Sequence, residues 1–236
     1  AFLRGCNPLG NDINPLSVAL LAPRLDPPKL QEIIDRLVTI DLTVAQETFA
    51  ELEVFFHPET LTQIIALKEY LLGRSISGDI DRVDHWIRMV ALNRLTGHSQ
   101  GFFSVYSLPP NQAVSIESQR KINRVRQQTP KPKDIVPRIL SKSKALLKDW
   151  HGHPKPEYDG LDLSSRLTTQ TATGAAGIPP ATAQLVVTSP PFLDVVDYQT
   201  DNWMRCWFIG LDSSTIEITQ VKRVDDWPAM MTDVLR

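Results

Sequence analysis

The stretch Leu185-Val186-Val187-Thr188-Ser189-Pro190-Pro191-Phe192 decides how the chain is read. Three apolar, mostly β-branched residues, with Gln184 before them, predict a short buried strand over 184–187. The strand runs straight into Ser-Pro-Pro-aromatic. Two consecutive prolines have no N–H to donate and fix φ, so they end the ladder and stiffen the turn. Their carbonyls are left free to face a ligand. In open α/β sheets ligands bind beyond the carboxyl ends of the strands, where such a turn would sit. Phe192 offers a flat face on which a nucleobase can stack. Asp194, Asp197 and Tyr198 follow closely.

Working outward, other short strands are expected over 8–11 and 165–169. After the first of them comes Gly10-Asn11-Asp12-Ile13-Asn14-Pro15. Asn14 suits a helix N-cap, and Pro15 the first helical position, where a missing N–H costs nothing. A strand, an acid at its end and a helix follow one another here. Residues 1–4 read as the last turn of a helix, closed by Gly5. Between the strand groups, helical spacing predicts a helix over Lys29 to Phe56, a second from Glu59 to Leu72 and a third from Ile80 to Thr96. A loop over 99–115 carries Phe102, Phe103 and Tyr106. A basic helix is expected over 117–128, and a further one capped by Asp134. The stretch 201–236 reads as helical in two pieces around 211–214. Short buried strands among helices suit a parallel sheet covered on both faces, so the fold class expected is α/β with a long, mainly helical insertion. Residues 1–28 and 160–236 would form the sheet-bearing core, and 29–159 the insertion.

The chain has 236 residues, 42% hydrophobic and 22% charged, ordinary values for a globular protein. No apolar run approaches the ~18 residues that would cross a membrane. Cys6 and Cys206 are the only cysteines, too few for a disulfide framework or a four-thiolate zinc site. With no basic-then-apolar leader, a cytoplasmic protein is expected. His151-Gly152-His153 has no cysteine or carboxylate at ligand spacing, so no metal is expected. Trp203, Trp207 and Phe208 read as core. No Gly-x-Ser-x-Gly motif supports a hydrolase.

The formal net charge of −2 hides an asymmetry. Residues 118–150 hold ten basic residues against two acids, a net of +8, which leaves −10 on the remainder. Such a segment is the electrostatic footprint of phosphate binding. Arg120, Lys121, Arg124, Arg126, Lys131 and Lys133 are its candidate contacts. Phosphate contacts give salt-sensitive affinity without sequence choice. Gln119, Asn123, Gln127 and Gln128 are candidate readers of base edges.

On these residues the sequence resembles the amino-methylating DNA methyltransferases. Thr188 to Phe192 is similar to their catalytic tetrapeptide, and its Ser in the first position favours the cytosine-amine over the adenine-amine enzymes. Gly10 to Pro15 is similar to their second cofactor motif, in which an acid takes the ribose hydroxyls of S-adenosylmethionine. The resemblance implies a partial Rossmann-like sheet and methyl transfer to an exocyclic amine of double-stranded DNA. It implies catalytic roles for Ser189, Pro190, Pro191 and Phe192, and cofactor contacts from Asp12, Asn14, Pro15 and Thr171. A restriction endonuclease is a possible partner. The family's glycine-rich first motif would lie before Ala1, and Gly174-Ala175-Ala176-Gly177 stands in the wrong place to replace it. The chain is therefore expected to be an internal fragment, inactive alone. Two other readings stay open: a non-catalytic DNA-binding module of the same fold, and a methyltransferase for RNA or protein amides.

Overall fold

The computed structural model describes residues 6, 8–107, 113–148, 150, 166–173, 181–189, 198–218, 221 and 223–235. The expectations for 1–5, for 151–162, for Gly174 to Gly177 and for Pro190 to Asp197 lie outside these residues.

Two strands are present among the described residues. β1, Gly10–Asn11, pairs in parallel with β2, Leu167–Thr168, Gly10 opposite Leu167 and Asn11 opposite Thr168. A parallel pair cannot be joined by a tight turn; it needs a crossover. Here helices α1 to α6 lie between the two strands in sequence. The described fold is mixed, mainly helical with this small parallel sheet.

Local chemistry sets the helix starts. α1, Pro15–Leu21, begins where the Asn14 side chain accepts from the Leu16 N–H. α2, Leu30–Thr39, opens with Glu32 accepting from the Lys29 N–H at 2.7 Å. α3, Pro58–Ser77, is capped by His57. It ends at Gly78, whose φ of 78° lets the chain turn left-handed without a Cβ clash. α4, Arg82–Leu92, is capped by Asp81. α5, Ile116–Val125, is capped by Ser115, and α6, Ile135–Leu147, by Asp134, which accepts from the Val136 N–H at 2.9 Å. Among the described residues three C-terminal α-helices follow: α7, Tyr198–Asp201; α8, Trp203–Phe208; and α9, Trp227–Leu235.

Some boundaries differ from expectation. The helix begun at Leu30 stops at Thr39, and Asp41 then closes a turn by accepting from the Thr43 N–H and hydroxyl. A separate short 3₁₀ turn occupies Ala50–Val54. The apolar repeat ran on past Ile40, but apolar spacing cannot distinguish a helix from a loop packed on the same core. The larger correction concerns residues 184–187. Leu185, Val186 and Val187 are 81%, 76% and 85% exposed and belong to no ladder. An apolar run becomes a buried strand only where neighbours flank it, and among the described residues none does.

One hydrophobic cluster unites Leu16 and Ala19 of α1, the buried faces of α2, α3, α4 and α6, and Met204, Cys206 and Phe208 of α8. Trp86 of α4 donates from Nε1 to Ser143 Oγ of α6 at 3.0 Å, both buried. Thr60 Oγ1 accepts from the Lys133 N–H at 2.7 Å and donates to its carbonyl, so α3 fixes the entrance to α6. Phe208 is buried at 1% exposure, and Trp203 donates to the Ala113 carbonyl, core roles as expected.

Candidate functional site

The parallel register brings Asp12 and Thr171, 159 positions apart, to one edge of the sheet. The Asp12 N–H donates to the Thr168 carbonyl at 3.1 Å and extends the ladder by one bond. Asn11 makes the join: its Oδ1 accepts from Thr168 Oγ1 at 2.8 Å and from the Gln170 N–H at 3.1 Å, and its Nδ2 donates to the Gln170 carbonyl at 3.1 Å. Sequence reading passed over Asn11. A residue with one donor and one acceptor group at a strand end was the available signal.

Asp12 lies exposed just beyond β1. Its Oδ1 accepts from the Asn14 N–H at 2.8 Å, and its Oδ2 from Ser17 Oγ at 2.6 Å. Both oxygens are thereby oriented, and each keeps a lone pair for another donor. Asn14 is buried, its Oδ1 used on the Leu16 N–H at 2.9 Å. It therefore shapes the edge as a cap. Pro15 is exposed at the first helical position. Thr171 is exposed, and its hydroxyl donates to the Thr173 carbonyl at 3.1 Å. Ser189 is exposed as well. Pro190, Pro191 and Phe192 lie outside the described residues.

The basic candidates divide. Arg120, Lys121, Arg124 and Lys131 are exposed. Arg126 is exposed too and lays its guanidinium over the Tyr106 ring at 3.7 Å. Lys133 turns inward: its ammonium donates to the Phe102 carbonyl at 2.9 Å and to the Ser104 carbonyl. Burial, and secondarily the neighbouring Arg138, push its pKa down to about 8.

Three of the four candidate base readers are likewise turned inward. Gln119 is fully buried and donates to the Tyr106 carbonyl at 3.0 Å and to Asn123 Oδ1 at 2.7 Å. Asn123 Nδ2 donates to the Val54 carbonyl at 2.7 Å. Gln128 donates to Tyr106 O and Asn123 Oδ1. These amides lock α5 onto the loop beneath it. Gln127 alone of the four is exposed, with φ of 49°.

A cleft of about 530 Å³ between α2 and α4 is lined by Glu32, Asp35, Arg36, Thr39, Asp81, Arg82 and Val83. Most of its charges are paired across the cleft, Arg36 with Asp81 and Asp84, and Arg82 with Glu32. Among the described residues no group of three or more His, Cys, Asp or Glu is arranged to hold a metal ion. No helix among them is long and apolar enough to cross a membrane. No family model, curated protein or solved structure matches the chain.

Proposed function

We propose that the chain transfers a methyl group from S-adenosylmethionine to an exocyclic amine of a base in double-stranded DNA, cytosine in preference to adenine, from the edge of a Rossmann-like sheet. One observation supports this above the others. A strand, an oriented acid at its carboxyl end and a capped helix pair in parallel with a second strand across a helical insertion rich in exposed cations. An acid so placed suits ribose hydroxyls, because a carboxylate held by its own loop still accepts two further donors.

The donor set thus fits the ribose of S-adenosylmethionine, which when bound supplies a methyl on an already activated sulfonium. Asp12 would accept the hydroxyls, with Pro15 and Thr171 bordering the site. Ser189 and the Pro190 carbonyl would accept the two N–H bonds of the target amine. Those bonds favour a more tetrahedral nitrogen and free its lone pair. Phe192 would stack on the base once it has left the duplex. Positioning carries most of such a reaction. The exposed Arg120, Lys121, Arg124, Arg126 and Lys131 would hold phosphates.

A second reading, a DNA-binding module that does not transfer methyl groups, is favoured by the exposure of Leu185 to Val187 just before Ser189. Methyl-labelled S-adenosylmethionine offered with duplex DNA, RNA or a glutamine peptide distinguishes the readings. Label should enter the duplex only. Ser189→Ala should abolish transfer and leave duplex affinity within twofold, as about 0.4 kcal/mol would allow. Duplex binding without any calorimetric uptake of S-adenosylmethionine would establish the module reading instead.

A further inference from the structure

Cations gather beyond residues 118–150 as well. The loop from Gly97 to Tyr106 is ringed by four of them. Arg94 covers the Phe102 ring at 4.2 Å, and Arg126 covers Tyr106. Lys133 holds the Phe102 and Ser104 carbonyls, and Arg138 donates from Nε to the Gln100 carbonyl at 3.1 Å. The loop can pass this close because Gly97 has no side chain: a Cβ there would stand 2.5 Å from the Phe102 ring.

Arg138 and Lys142, four residues apart, share one flank of α6. Beside that flank runs α4, which Arg94 follows by two residues. The 3₁₀ turn Ala22–Arg24, directly after α1, packs on α4 in turn. Burial first, then the like charges of Arg94 and Arg24, push the Lys142 pKa down. Among the described residues, none of Arg24, Arg94, Arg138 or Lys142 has a carboxylate at ion-pair distance. Arg94 and Arg138 are held by backbone carbonyls and a ring, which orient the guanidinium without neutralising it. Like charges gathered without counter-charges repel one another, and a polyanion relieves that repulsion.

We propose that Arg24, Arg94, Arg138 and Lys142 form a phosphate-contacting strip that carries the backbone of duplex DNA from the helical insertion to the β1–α1 unit. The assignment rests on the DNA reading above and adds contacts from α6, the residues after α4 and the turn after α1. Its two ends belong to the two parts that the reaction must bring together: α6 in the insertion, and Arg24 at the end of the unit that begins with Asp12.

The test is the salt dependence of binding to a short, mixed-sequence, fluorescently labelled duplex, measured by anisotropy with the 236-residue chain. The strip variant is Arg24→Gln with Lys142→Gln, two side chains without a hydrogen bond among the described residues. The comparison variant is Arg120→Gln with Lys121→Gln on α5. Each lost phosphate contact should flatten the slope of log K against log salt by about 0.9, so the strip variant should lose about 1.8. Arg24→Gln with Lys142→Arg should regain half of that loss, and urea midpoints should match throughout. A wild-type slope in the strip variant, beside a flattened one in the α5 variant, would overturn the strip and leave the DNA reading standing. Failure of the unaltered chain to bind duplex would overturn both. A slope change seen only with an RNA hairpin would overturn duplex DNA as the ligand.

Discussion

Asp84 is fully buried and lies between two guanidiniums. Its Oδ2 accepts from Arg74 Nε at 2.7 Å, and its Oδ1 from Arg36. Arg36 also reaches Asp81 at 2.6 Å, so two acids from one capping sequence tie α4 to α2 and α3. Asp84→Ala would take the shared buried carboxylate from Arg36 and Arg74, whose guanidiniums still reach water, Arg36 keeping Asp81, and the lost charge-assisted hydrogen bonds should cost about 1.5–3 kcal/mol. Urea denaturation should show that loss; a change below about 0.5 kcal/mol, the range of an ordinary surface substitution, would count against the pairing. Asp81 adds a pH dependence. Burial alone would raise its carboxyl, but the Arg36 hydrogen bond and the N–H groups of Asp84 and Val83 outweigh it and hold the pKa at about 2. The sign follows: the stabilisation is complete above the unfolded value near 3.8 and is lost as pH falls towards 2. With the side chain 44% exposed, solvent screening keeps the contribution to about 1 kcal/mol or less. Asp81→Asn keeps the cap and should remove this increment from the difference between pH 5 and pH 2.5. Equal pH slopes in the two proteins would show that Asp81 titrates identically folded and unfolded. The cap at Asn14 is legible in sequence because a cap is local. The Arg36 partner of Asp81, 45 positions away, is not.

At the scale of elements, α5 and the start of α6 separate two uses of positive charge that composition treats as one. Arg124 points to solvent; Lys133 fastens the aromatic loop through two carbonyls. Lys133→Ala should lower stability by about 1–2 kcal/mol through the lost hydrogen bonds, and leave the salt slope of duplex binding unchanged. Arg124→Gln should flatten that slope by about 0.9 and leave stability within about 0.5 kcal/mol. The reverse pattern in anisotropy and urea titrations would exchange their roles. The same distinction shows why part of the candidate site was hidden in the sequence. Gln119, Asn123 and Gln128 have the amide chemistry of base readers, yet tertiary packing spends it on Tyr106, Val54 and one another. Leu185 to Val187 has the composition of a buried strand, but burial depends on neighbours that a run of three residues does not specify. By contrast, the β1–Asp12–α1 unit was legible because strand end, acid, cap and proline lie within six consecutive residues.

For the whole molecule, the sequence placed a boundary between a sheet-bearing core and an insertion at residue 28. The buried cluster runs across that boundary. Leu16 and Ala19 on one side, and Met204, Cys206 and Phe208 on the other, pack with the faces of α2, α3, α4 and α6. Charge and composition carry no information on which helices share a core. Phe208 is the sharpest probe, since it is 1% exposed and stands far along the chain from the helices it packs among. Phe208→Ala removes a ring that neighbouring helices can only partly replace, and the expected cost is about 3–4 kcal/mol. In a single cooperative unit that loss is shared, so hydrogen exchange should show the most protected amides of α3 and α4 losing protection by the same free energy as the urea measurement. An insertion that folds on its own predicts something else: α8 would loosen while α3 and α4 kept their protection. The continuous core favours the first outcome, and with it a molecule in which strain on the insertion reaches the sheet edge at Asp12 through α1.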